Sequence, residues 1–368
     1  MKIITTICRI VVGLLFIFSG LIKANDTMGF SYKLTEYFEV FGTHFLVPAA
    51  VPLAMFICIF EVVLGVMLLM GARIKLTLWL LLLMIVFFTF LTFYSAYFNK
   101  VNSCGCFGDA IPLTPWQSFG KDVFLLVLII VLFAGRQYIN PLFNNTRLEN
   151  AALVIVLLAS TAFPIYTYNY MPVKDFRAYK IGTDMYKAMH PNVKFYYTLK
   201  NKKTGEQKEF DRWPENWDKD WDYVSNRTEN MDKDVKEIIG FVMTNEYGEN
   251  YTDEFLQKEG YKFMLVEYDL NKADKGVQGA INDFAAVCAL NKIEFVGLTS
   301  SDSLTQLAFK KENNVQYPFY TNPDDVPLKT MIRSNPGLVL FKGPVVIDMW
   351  HYHSFPSFSD VKEKHFKK

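Results

Sequence analysis

The chain opens with MKIITTICRIVVGLLFIFSG, residues 1 to 20, an apolar stretch with a basic start and one further charge at Arg9. The apolar part covers residues 4 to 22, close to the roughly 20 residues that an α-helix needs to cross the hydrocarbon core of a membrane. Arg9 and the lack of a small-residue cleavage pattern argue against a cleaved signal peptide. We therefore expect this stretch to be retained as a membrane-spanning helix.

Four more apolar runs follow in the first half of the chain, at residues 48 to 70, 76 to 98, 119 to 135 and 151 to 168. Backbone polar groups cannot stay unpaired in lipid, so each run should be a helix. The last run is short and contains Pro164, so an interfacial helix is the alternative there. Because 51% of the 368 residues are hydrophobic, the composition also indicates a membrane protein. The sequence predicts five spans, with residues 23 to 47 as a long first loop.

The basic residues predict how the chain is oriented in the membrane. With a cytoplasmic amino terminus, the inner segments carry Lys2, Arg73, Lys75, Arg136 and Arg147, and the outer loops carry Lys23, Lys33 and Lys100. This bias predicts a multi-pass protein of the bacterial plasma (inner) membrane whose region after residue 170 is periplasmic. The formal net charge of +1 gives no reason to expect a nucleic acid as a partner.

The composition changes after residue 170, where charged residues become frequent and strand-like and helix-like patches alternate. YKFMLVEYDL at residues 261 to 270 is typical of a buried strand, and GLVLFKGPVVIDMW at residues 337 to 350 of two strands around a turn. This alternation predicts an α/β sandwich with parallel pairing near its centre. The acidic, Trp-rich stretch at residues 210 to 226 is expected to be an insertion or a lid.

A close pair of cysteines stands in NSCGCFGDA, residues 102 to 110. Thiols outside a bacterial plasma membrane tend to be oxidised, so Cys104 and Cys106 should pair. A bridge across one residue closes a small ring, and a strained disulfide is more readily reduced. Gly105 gives the backbone the freedom that such a ring requires. We predict that Cys104 and Cys106 are a catalytic redox couple.

Three alternatives stay open for this pair. A static disulfide that orders the loop would use the same residues. A metal site would need further ligands, and the histidines on the same predicted side, His44, His351 and His353, lie far away in sequence. The sequence therefore predicts no metal. The third alternative is that both parts of the chain are scaffolding.

Two stripes at helical spacing carry charged residues into the predicted spans. The first stripe consists of Arg9, Gly13, Phe16, Gly20 and Lys23, and the second of Cys58, Glu61 and Gly65. A rise of 1.5 Å per residue puts Arg9 about 8 Å and Glu61 about 14 Å from the inner boundary. We therefore predict an ion pair between Arg9 and Glu61, as a clamp between two helices rather than a proton path. The helix dipole favours Asp122 in the first turn of the fourth span.

Three segments connect the first 150 residues with a known family: RIVVGLLFIFSGLIKANDTMGF, FEVVLGVMLLMGA and CGCFGDAIPLTPWQSFGKDVFLL, which begin at residues 9, 60 and 104. Through them the chain resembles the DoxX and MauE-like family of four-helix membrane proteins. Some members, like the related vitamin K epoxide reductase-type bundles, are associated with thiol and disulfide chemistry. The resemblance implies redox work at the Cys104 and Cys106 loop.

The region from about residue 181 to residue 368 carries FVMTNEYGENYT, FMLVEYDL and SNPGLVLFKGPVVID, which begin at residues 241, 263 and 334. These segments resemble the thioredoxin fold, in which Pro336 would take the place of the cis-proline ahead of a hairpin. The region departs from thioredoxins because NKADKGVQ, from residue 271, stands where a Cys-x-x-Cys motif is expected. The one cysteine of this region, Cys288, lies on an apolar helical stripe and is expected to be buried. The resemblance therefore implies docking rather than disulfide exchange.

These inferences predict three segments: a DoxX-like four-helix domain at 1 to 150, a fifth transmembrane helix at 151 to 170, and a periplasmic thioredoxin-like domain at 171 to 368. The predicted function is a membrane component of thiol-disulfide chemistry, acting on a thiol substrate or an envelope protein. Electrons could continue to Cys58 or to a quinone, although Cys58 lies about 15 Å into the membrane. The alternative is a noncatalytic scaffold or assembly subunit of an envelope complex.

Overall fold

The computed structural model describes residues 1–101, 105, 107–214, 217–230 and 236–366. The chain divides into two compact units, Met1–Arg177 and Ala178–Lys368. The first unit is helical, and the second contains both helices and strands.

Apolar helices build the first unit. In chain order they are α1 (Lys2–Asn25), α2 (Thr27–Val40), α3 (Ala50–Met70), α4 (Ile74–Phe98), α5 (Pro115–Ala134) and α6 (Thr146–Asn169). All except α2 are long and apolar enough to cross a membrane, which confirms the prediction of five apolar helices. The fifth apolar run is a continuous helix of 24 residues that includes Pro164. This part of the chain is that of a multi-pass membrane protein.

Helix α1 has two distinct faces. Its exposed face, which would contact lipid, carries Ile3, Ile7, Ile10, Leu14, Phe18 and Leu21. The opposite face packs against α3, and glycines permit a close approach of the two backbones. A Cβ atom placed on Gly65 would lie only 2.7 Å from the carbonyl oxygen of Gly13. Small residues at helix contacts are typical of membrane bundles, where packing replaces the hydrophobic effect as the stabilising force.

Helix α2 occupies much of the segment that the sequence analysis treated as a loop. Asp26 begins it as N-cap, and its Oδ1 atom accepts a hydrogen bond from the backbone N–H of Gly29 at 2.9 Å. Its buried residues Phe30, Leu34 and Tyr37 recur at helical spacing, so one face packs on the bundle. The hydroxyl of Tyr37 lies 2.8 Å from Oγ of Ser95 on α4. Helix α2 is therefore part of the helical unit.

The second unit alternates strands and helices. Its elements are α7 (Met185–Met189), β1 (Val193–Asn201), β2 (Gln207–Phe210), α8 (Trp217–Asp220), β3 (Trp221–Asn230), α9 (Thr252–Gln257), β4 (Tyr261–Val266), α10 (Gln278–Leu290), β5 (Glu294–Thr299), α11 (Ser303–Asn313), β6 (Phe319–Thr321), α12 (Asp325–Met331), β7 (Gly337–Lys342), β8 (Val345–His351) and α13 (Phe358–Val361).

The larger sheet has five strands in the order β6-β5-β4-β7-β8. Strands β4, β5 and β6 pair in parallel, whereas β7 pairs antiparallel with both β4 and β8. This arrangement confirms the predicted α/β region with parallel pairing near its centre. The peptide bond between Asn335 and Pro336 is cis, and β7 begins at the next residue.

A smaller antiparallel sheet has the strand order β2-β1-β3. It includes the end of the Trp-rich stretch that the sequence analysis interpreted as an insertion or a lid. Residues 221 to 230 form β3 and pair with β1, with Tyr196 opposite Arg227. The guanidinium group of Arg227 also pairs with Glu209 of β2 at 2.6 Å. This part of the stretch is therefore a regular strand.

Candidate functional site

The predicted catalytic cysteines, Cys104 and Cys106, lie outside the described residues, so their pairing stays a prediction. Their neighbours Gly105 and Phe107 are described, and both are buried. Gly105 has a φ of +70°, and a Cβ atom placed there would lie 3.2 Å from Cγ of Lys33 on α2. The ring of Phe107 lies 5.6 Å from the ring of Phe18 on α1. Gly105 thus lies against α2, and Phe107 packs against α1.

Phe107 also lines a cavity of about 20 Å³ inside the helical unit. This volume is sufficient for a water molecule. The polar part of the lining consists of Ser19, Lys23, Glu61, Lys121 and Asp122, and the apolar part consists of Leu15, Phe16, Ile85, Phe88, Phe107 and Leu125. Buried ionisable groups within a membrane bundle are costly and often mark functional sites. This cavity is therefore the candidate site of the first unit.

One wall of the cavity carries an ion pair between α1 and α3. The Nζ atom of Lys23 donates to both carboxylate oxygens of Glu61, at 2.7 and 2.8 Å, and to Oγ of Ser19 at 2.7 Å. Lys23 and Glu61 are each only 3% exposed. The ammonium group also lies over the ring of Phe88 at 5.1 Å. A buried ion pair needs such additional partners to offset the cost of removing both charges from water.

The other wall carries a second ion pair on α5. The prediction that Asp122 lies in the first turn of this helix is wrong, because α5 begins at Pro115 and Asp122 lies about two turns further along. Nζ of Lys121 lies 2.6 Å from Oδ1 of Asp122, and the hydroxyl of Thr92 donates to Oδ2 at 3.0 Å. The side chain of Asp122 is 1% exposed and that of Lys121 is 19% exposed. The Lys121 ammonium group lies 5.1 Å from the ring centroid of Phe107. Lys121 thus contacts both the ring of Phe107 and the buried carboxylate of Asp122.

The predicted ion pair between Arg9 and Glu61 is wrong. Arg9 instead donates to the carbonyl oxygens of Leu68 and Leu69, at 2.9 and 2.6 Å, and to that of Asn140 at 3.3 Å. Leu68 and Leu69 belong to the last turn of α3, where carbonyl groups have no partner within the helix. A cation at a helix carboxyl terminus satisfies these groups and interacts favourably with the helix dipole.

The predicted secondary residue Cys58 is completely buried, but it does not line the cavity. It belongs to an apolar cluster with Ala24, Phe30, Leu34 and Ala54. A Cβ atom on Gly20 would lie 2.9 Å from the carbonyl oxygen of Cys58, so this position is part of the contact between α1 and α3. Packing explains Cys58 without a redox role.

In the second unit, Cys288 is completely buried in the core cluster, as the sequence predicts. Burial raises the pKa of its thiol to about 12, so it is a poor nucleophile at neutral pH. The other predicted residue, Pro336, follows Asn335, whose side-chain amide donates to the carbonyl oxygen of Asp269 at 2.8 Å. Pro336 therefore directly follows a residue that binds the segment after β4.

Sequence reasoning missed a buried carboxyl group at Glu267. This residue directly follows β4, is completely buried, and accepts a hydrogen bond at 3.3 Å from the hydroxyl of Tyr317. Its Oε1 atom and Oε1 of Gln278 have no hydrogen-bond partner among the residues that the structure describes. Burial raises the pKa of Glu267 to about 8. The signal available in the sequence was one acidic residue, Glu267, directly after the apolar residues 263 to 266.

One of the histidines considered for a metal site, His351, is bound within its own turn. His351 is buried, and its Nδ1 atom accepts a hydrogen bond from the backbone N–H of His353 at 3.2 Å. Burial lowers the pKa of His351 to about 4. Within the part of the chain that the structure describes, no group of three or more His, Cys, Asp or Glu residues could hold a metal ion.

Comparison with known proteins adds to this description of the first unit. The family model of the methylamine utilisation protein MauE matches residues 1–135. Protein TlpB of Flavobacterium psychrophilum is 27% identical over 130 residues, which are 34% of this chain and 35% of that protein. The match thus spans about a third of the length of this curated relative.

A solved structure covers a similar share of the chain. It is described as a candidate protein disulfide isomerase from Bacteroides thetaiotaomicron, and the match has 15% identity and covers 34% of this chain and 82% of that one. Its TM-score of 0.28 is too low to equate the two folds. The family match is to MauE, and the resemblance to DoxX stays a prediction. The chain is thus a multi-pass membrane protein whose first 135 residues are similar to MauE.

Proposed function

We propose that the protein takes part in thiol-disulfide exchange at a membrane, with Cys104 and Cys106 as the redox couple. The observation that carries this proposal is the position of Phe107, which directly follows Cys106 and lines a cavity with two buried ion pairs. Loop order alone would not require a charged cavity in the bundle, because buried charges are costly in a membrane. Charged groups beside a thiol can control its reactivity.

The exchange needs a partner that carries a dithiol. A partner thiolate attacks the Cys104–Cys106 disulfide, which breaks that S–S bond and forms a mixed disulfide. The second partner thiol then displaces the protein's sulfur from this mixed disulfide. The partner ends as a disulfide and the protein as two thiols, so two protons and two electrons move between them and no further oxidant is needed.

The second unit is assigned the role of docking this partner, either a thiol substrate or an envelope protein. Its sequence has no Cys-x-x-Cys motif, and Cys288 is buried in the core. The loop of Cys104 and the second unit would have to face the same aqueous compartment. The distribution of Lys and Arg favours the periplasm of a bacterial plasma membrane, with the amino terminus in the cytoplasm.

The proposal includes no quinone. The cavity volume is about 20 Å³, whereas a ring the size of benzene needs about 150 Å³. This cavity is therefore too small for a quinone ring, and no electrons are routed through one.

Trapping of a mixed disulfide tests the proposed function. In Cys106→Ser, the remaining thiolate of Cys104 should attack the disulfide of an oxidised partner. This breaks the partner's S–S bond, forms a mixed disulfide and leaves one partner thiol, and no second cysteine is left in the loop to release the complex. The complex should be visible on a nonreducing gel and disappear with reductant. Cys288→Ser is the matched control, because its thiol is buried and should leave trapping unchanged.

The alternative function is a noncatalytic scaffold or assembly subunit. It is favoured by the second unit, whose one cysteine is buried. A scaffold predicts that the Cys104→Ser/Cys106→Ser variant keeps full cellular activity, or loses only thermal stability. Either result, together with a lack of trapped complexes, would contradict the redox proposal.

A further inference from the structure

We infer that Glu267 and Gln278 form a buried proton-binding site, in which a proton on Oε1 of Glu267 is donated to Oε1 of Gln278. This hydrogen bond closes the first turn of α10 onto the end of β4, and release of the proton opens it. The inference concerns the second unit alone and does not depend on the proposed redox function.

The orientation of the amide groups in this site is fixed from a backbone carbonyl outward. Nδ2 of Asn282 donates to the carbonyl oxygen of Asn313 at 2.9 Å, which leaves Oδ1 of Asn282 as an acceptor. Nε2 of Gln278 donates to this Oδ1 atom at 3.1 Å. Because a backbone carbonyl can only accept, neither amide can be turned over without the loss of a hydrogen bond.

The hydroxyl of Tyr317 connects Gln278 with Glu267. Its oxygen accepts a hydrogen bond from Nε2 of Gln278 at 3.0 Å, and its proton is donated to Oε2 of Glu267 at 3.3 Å. Both N–H groups of the Gln278 amide and the proton of Tyr317 are thus used. The oxygens that remain are Oε1 of Glu267 and Oε1 of Gln278, and they belong to groups that bind the same hydroxyl.

These two oxygens are acceptors without a donor among the described residues. Glu267 is completely buried and Gln278 is 4% exposed, and a buried polar atom without a partner costs free energy. A carboxyl group that keeps its proton supplies one donor, so a single hydrogen bond satisfies both oxygens. Burial raises the pKa of Glu267 to about 8, which agrees with a proton that is held at neutral pH.

The groups that face Glu267 do not favour its ionised form. Among the described residues, Tyr317 is the titratable group that contacts it, and burial raises the pKa of this hydroxyl so that it stays protonated. The residues level with Glu267 on the neighbouring strands, Thr299 of β5 and Pro336 before β7, are uncharged. The charged residues close to Glu267 and Gln278 in sequence are bound or exposed: Asp269 pairs with Lys272 at 2.9 Å, Oδ1 of Asp274 accepts from the backbone N–H of Gly276 at 2.9 Å, Lys275 pairs with Glu312 at 2.8 Å, and Asp283 is exposed.

Ionisation of Glu267 removes the donor and leaves a negative oxygen beside an acceptor, so the bond joins α10 to β4 only while the proton is present. When this segment opens to water, the carboxyl group returns from a pKa of about 8 to its ordinary value of 4.5. Between these two values, opening releases a proton. The equilibrium constant for opening should therefore rise by up to about tenfold per pH unit from about pH 4.5 to about pH 8, and level off above.

Hydrogen exchange of the full-length protein in lipid nanodiscs tests this opening. Peptides that cover residues 268 to 283 are followed by mass spectrometry from pH 5 to pH 9, with rates corrected for the intrinsic pH dependence of exchange. The wild type should lose protection in this segment as the pH rises to about 8. Glu267→Gln should keep its protection throughout, because an amide donates to Gln278 without titrating. Glu259→Gln removes an exposed acid and should behave as the wild type.

Infrared difference spectra between pH 6 and pH 9 test where the proton lies. Ordinary Asp and Glu side chains are ionised throughout this range, so the C=O band of a carboxylic acid that disappears at pH 9 reports an acid with a raised pKa. This band should be absent in Glu267→Gln. In Gln278→Met, which removes the acceptor, it should move to higher frequency. Gln316→Met changes an exposed glutamine and should leave the band in place.

Three results would overturn the inference. The first is a wild-type protection that changes with pH no more than that of Glu267→Gln. The second is the lack of a carboxylic acid band that depends on Glu267, as expected if a water molecule donates to both oxygens and Glu267 is ionised. The third is a band that does not shift in Gln278→Met, because the proton would then not be shared with Gln278. Gln278→Ala takes the place of Gln278→Met if that variant does not fold.

Discussion

The ammonium group of Lys23 donates to both carboxylate oxygens of Glu61, at 2.7 and 2.8 Å. The two residues belong to antiparallel helices, and a Cβ atom on Gly20 would lie 3.0 Å from Cβ of Glu61. The carboxylate therefore stands opposite Gly20, and the Lys23 side chain reaches it from three residues further along α1. This pair links the two helices by charge beside one of their close backbone contacts.

Removal of one charge of this pair should destabilise the helical unit. Glu61→Gln leaves the Lys23 ammonium group buried without a counter-charge, and we expect a loss of about 3 to 5 kcal/mol in the free energy of unfolding. Unfolding of the full chain in mixed micelles, titrated with a denaturing detergent, measures the loss. Glu36→Gln breaks the more exposed pair with Lys33 and should cost less than about 1 kcal/mol. Equal effects of both substitutions would contradict the role of the buried pair.

Arg9 should stabilise the carboxyl end of α3. Arg9→Met keeps much of the apolar stem but removes the guanidinium donor from the carbonyl oxygens of Leu68 and Leu69, of which that of Leu68 still accepts from the backbone N–H of Gly71 at 3.1 Å. We therefore expect a loss of about 2 kcal/mol in the free energy of unfolding. Arg9→Lys should recover part of this loss, because an ammonium group can reach one carbonyl oxygen but cannot bind several in a fixed fork. The same detergent titration measures both variants. If Arg9→Lys and Arg9→Met are equally unstable, the fork geometry is not what stabilises α3.

The five apolar helices could be predicted from the sequence because hydropathy and length are local properties. The ion-pair partner of Glu61 could not be predicted in this way, because it depends on the axial register between α1 and α3. An estimate from helix rise assumes where each helix meets the membrane boundary. The actual register follows from the contacts of Gly20 and Gly65 with the facing backbone, and it brings Glu61 near Lys23.

Two further features depend on tertiary context. The buried face of α2 becomes apparent only when Phe30, Leu34 and Tyr37 contact the bundle, since the segment contains many polar residues and no long apolar run. Glu267 looks like an ordinary acid at the end of a strand, and only its complete burial separates it from surface acids. The cavity combines residues from four helices and a loop, which no spacing along the chain could bring together.

Alanine substitutions at the glycines between α1 and α3 should destabilise the helical unit to different degrees. In Gly65→Ala, the new Cβ atom would meet the backbone of Gly13 and Ile17 at 2.7 and 3.0 Å, so the helices must separate, and we expect a loss of about 1 to 3 kcal/mol. Gly13→Ala should cost less, because its nearest neighbours belong to the flexible side chain of Leu69. Gly120→Ala is the control, because no neighbouring atom of the described residues lies within 4 Å of the new Cβ, and alanine favours a helix.

The ranking of these three variants can be measured by detergent-induced unfolding, with the lipid composition held constant. We expect Gly65→Ala to be the least stable and Gly120→Ala to be at least as stable as the wild type. A Gly65→Ala protein as stable as Gly120→Ala would mean that α1 and α3 do not approach as closely as these contacts require.

Glu267 should make the stability of the second unit depend on pH. Burial raises its pKa to about 8 from an ordinary value of 4.5, so between these values the folded chain holds a proton that the unfolded chain releases. Stability should therefore fall as the pH rises from about 4.5 to about 8, by up to about 1.4 kcal/mol per pH unit, and level off above. Within the described parts of the chain, the Oε1 atom of Glu267 has no donor that would stabilise the ionised form.

Glu267→Gln removes this titration and should flatten the pH dependence, with a gain of up to about 3 kcal/mol at pH 7 relative to the wild type. Cys288 reports on the unfolding of the second unit, because its buried thiol should react with a maleimide dye only when the core opens. The urea concentration at half-maximal labelling is measured at several pH values in the full chain. Glu259→Gln removes an exposed acid of the same unit and should leave the wild-type pH dependence intact. If the urea concentration at half-maximal labelling of the wild type stays constant from pH 5 to pH 8, Glu267 is ionised in the folded protein. The second unit would then have to supply a hydrogen-bond donor to its Oε1 atom.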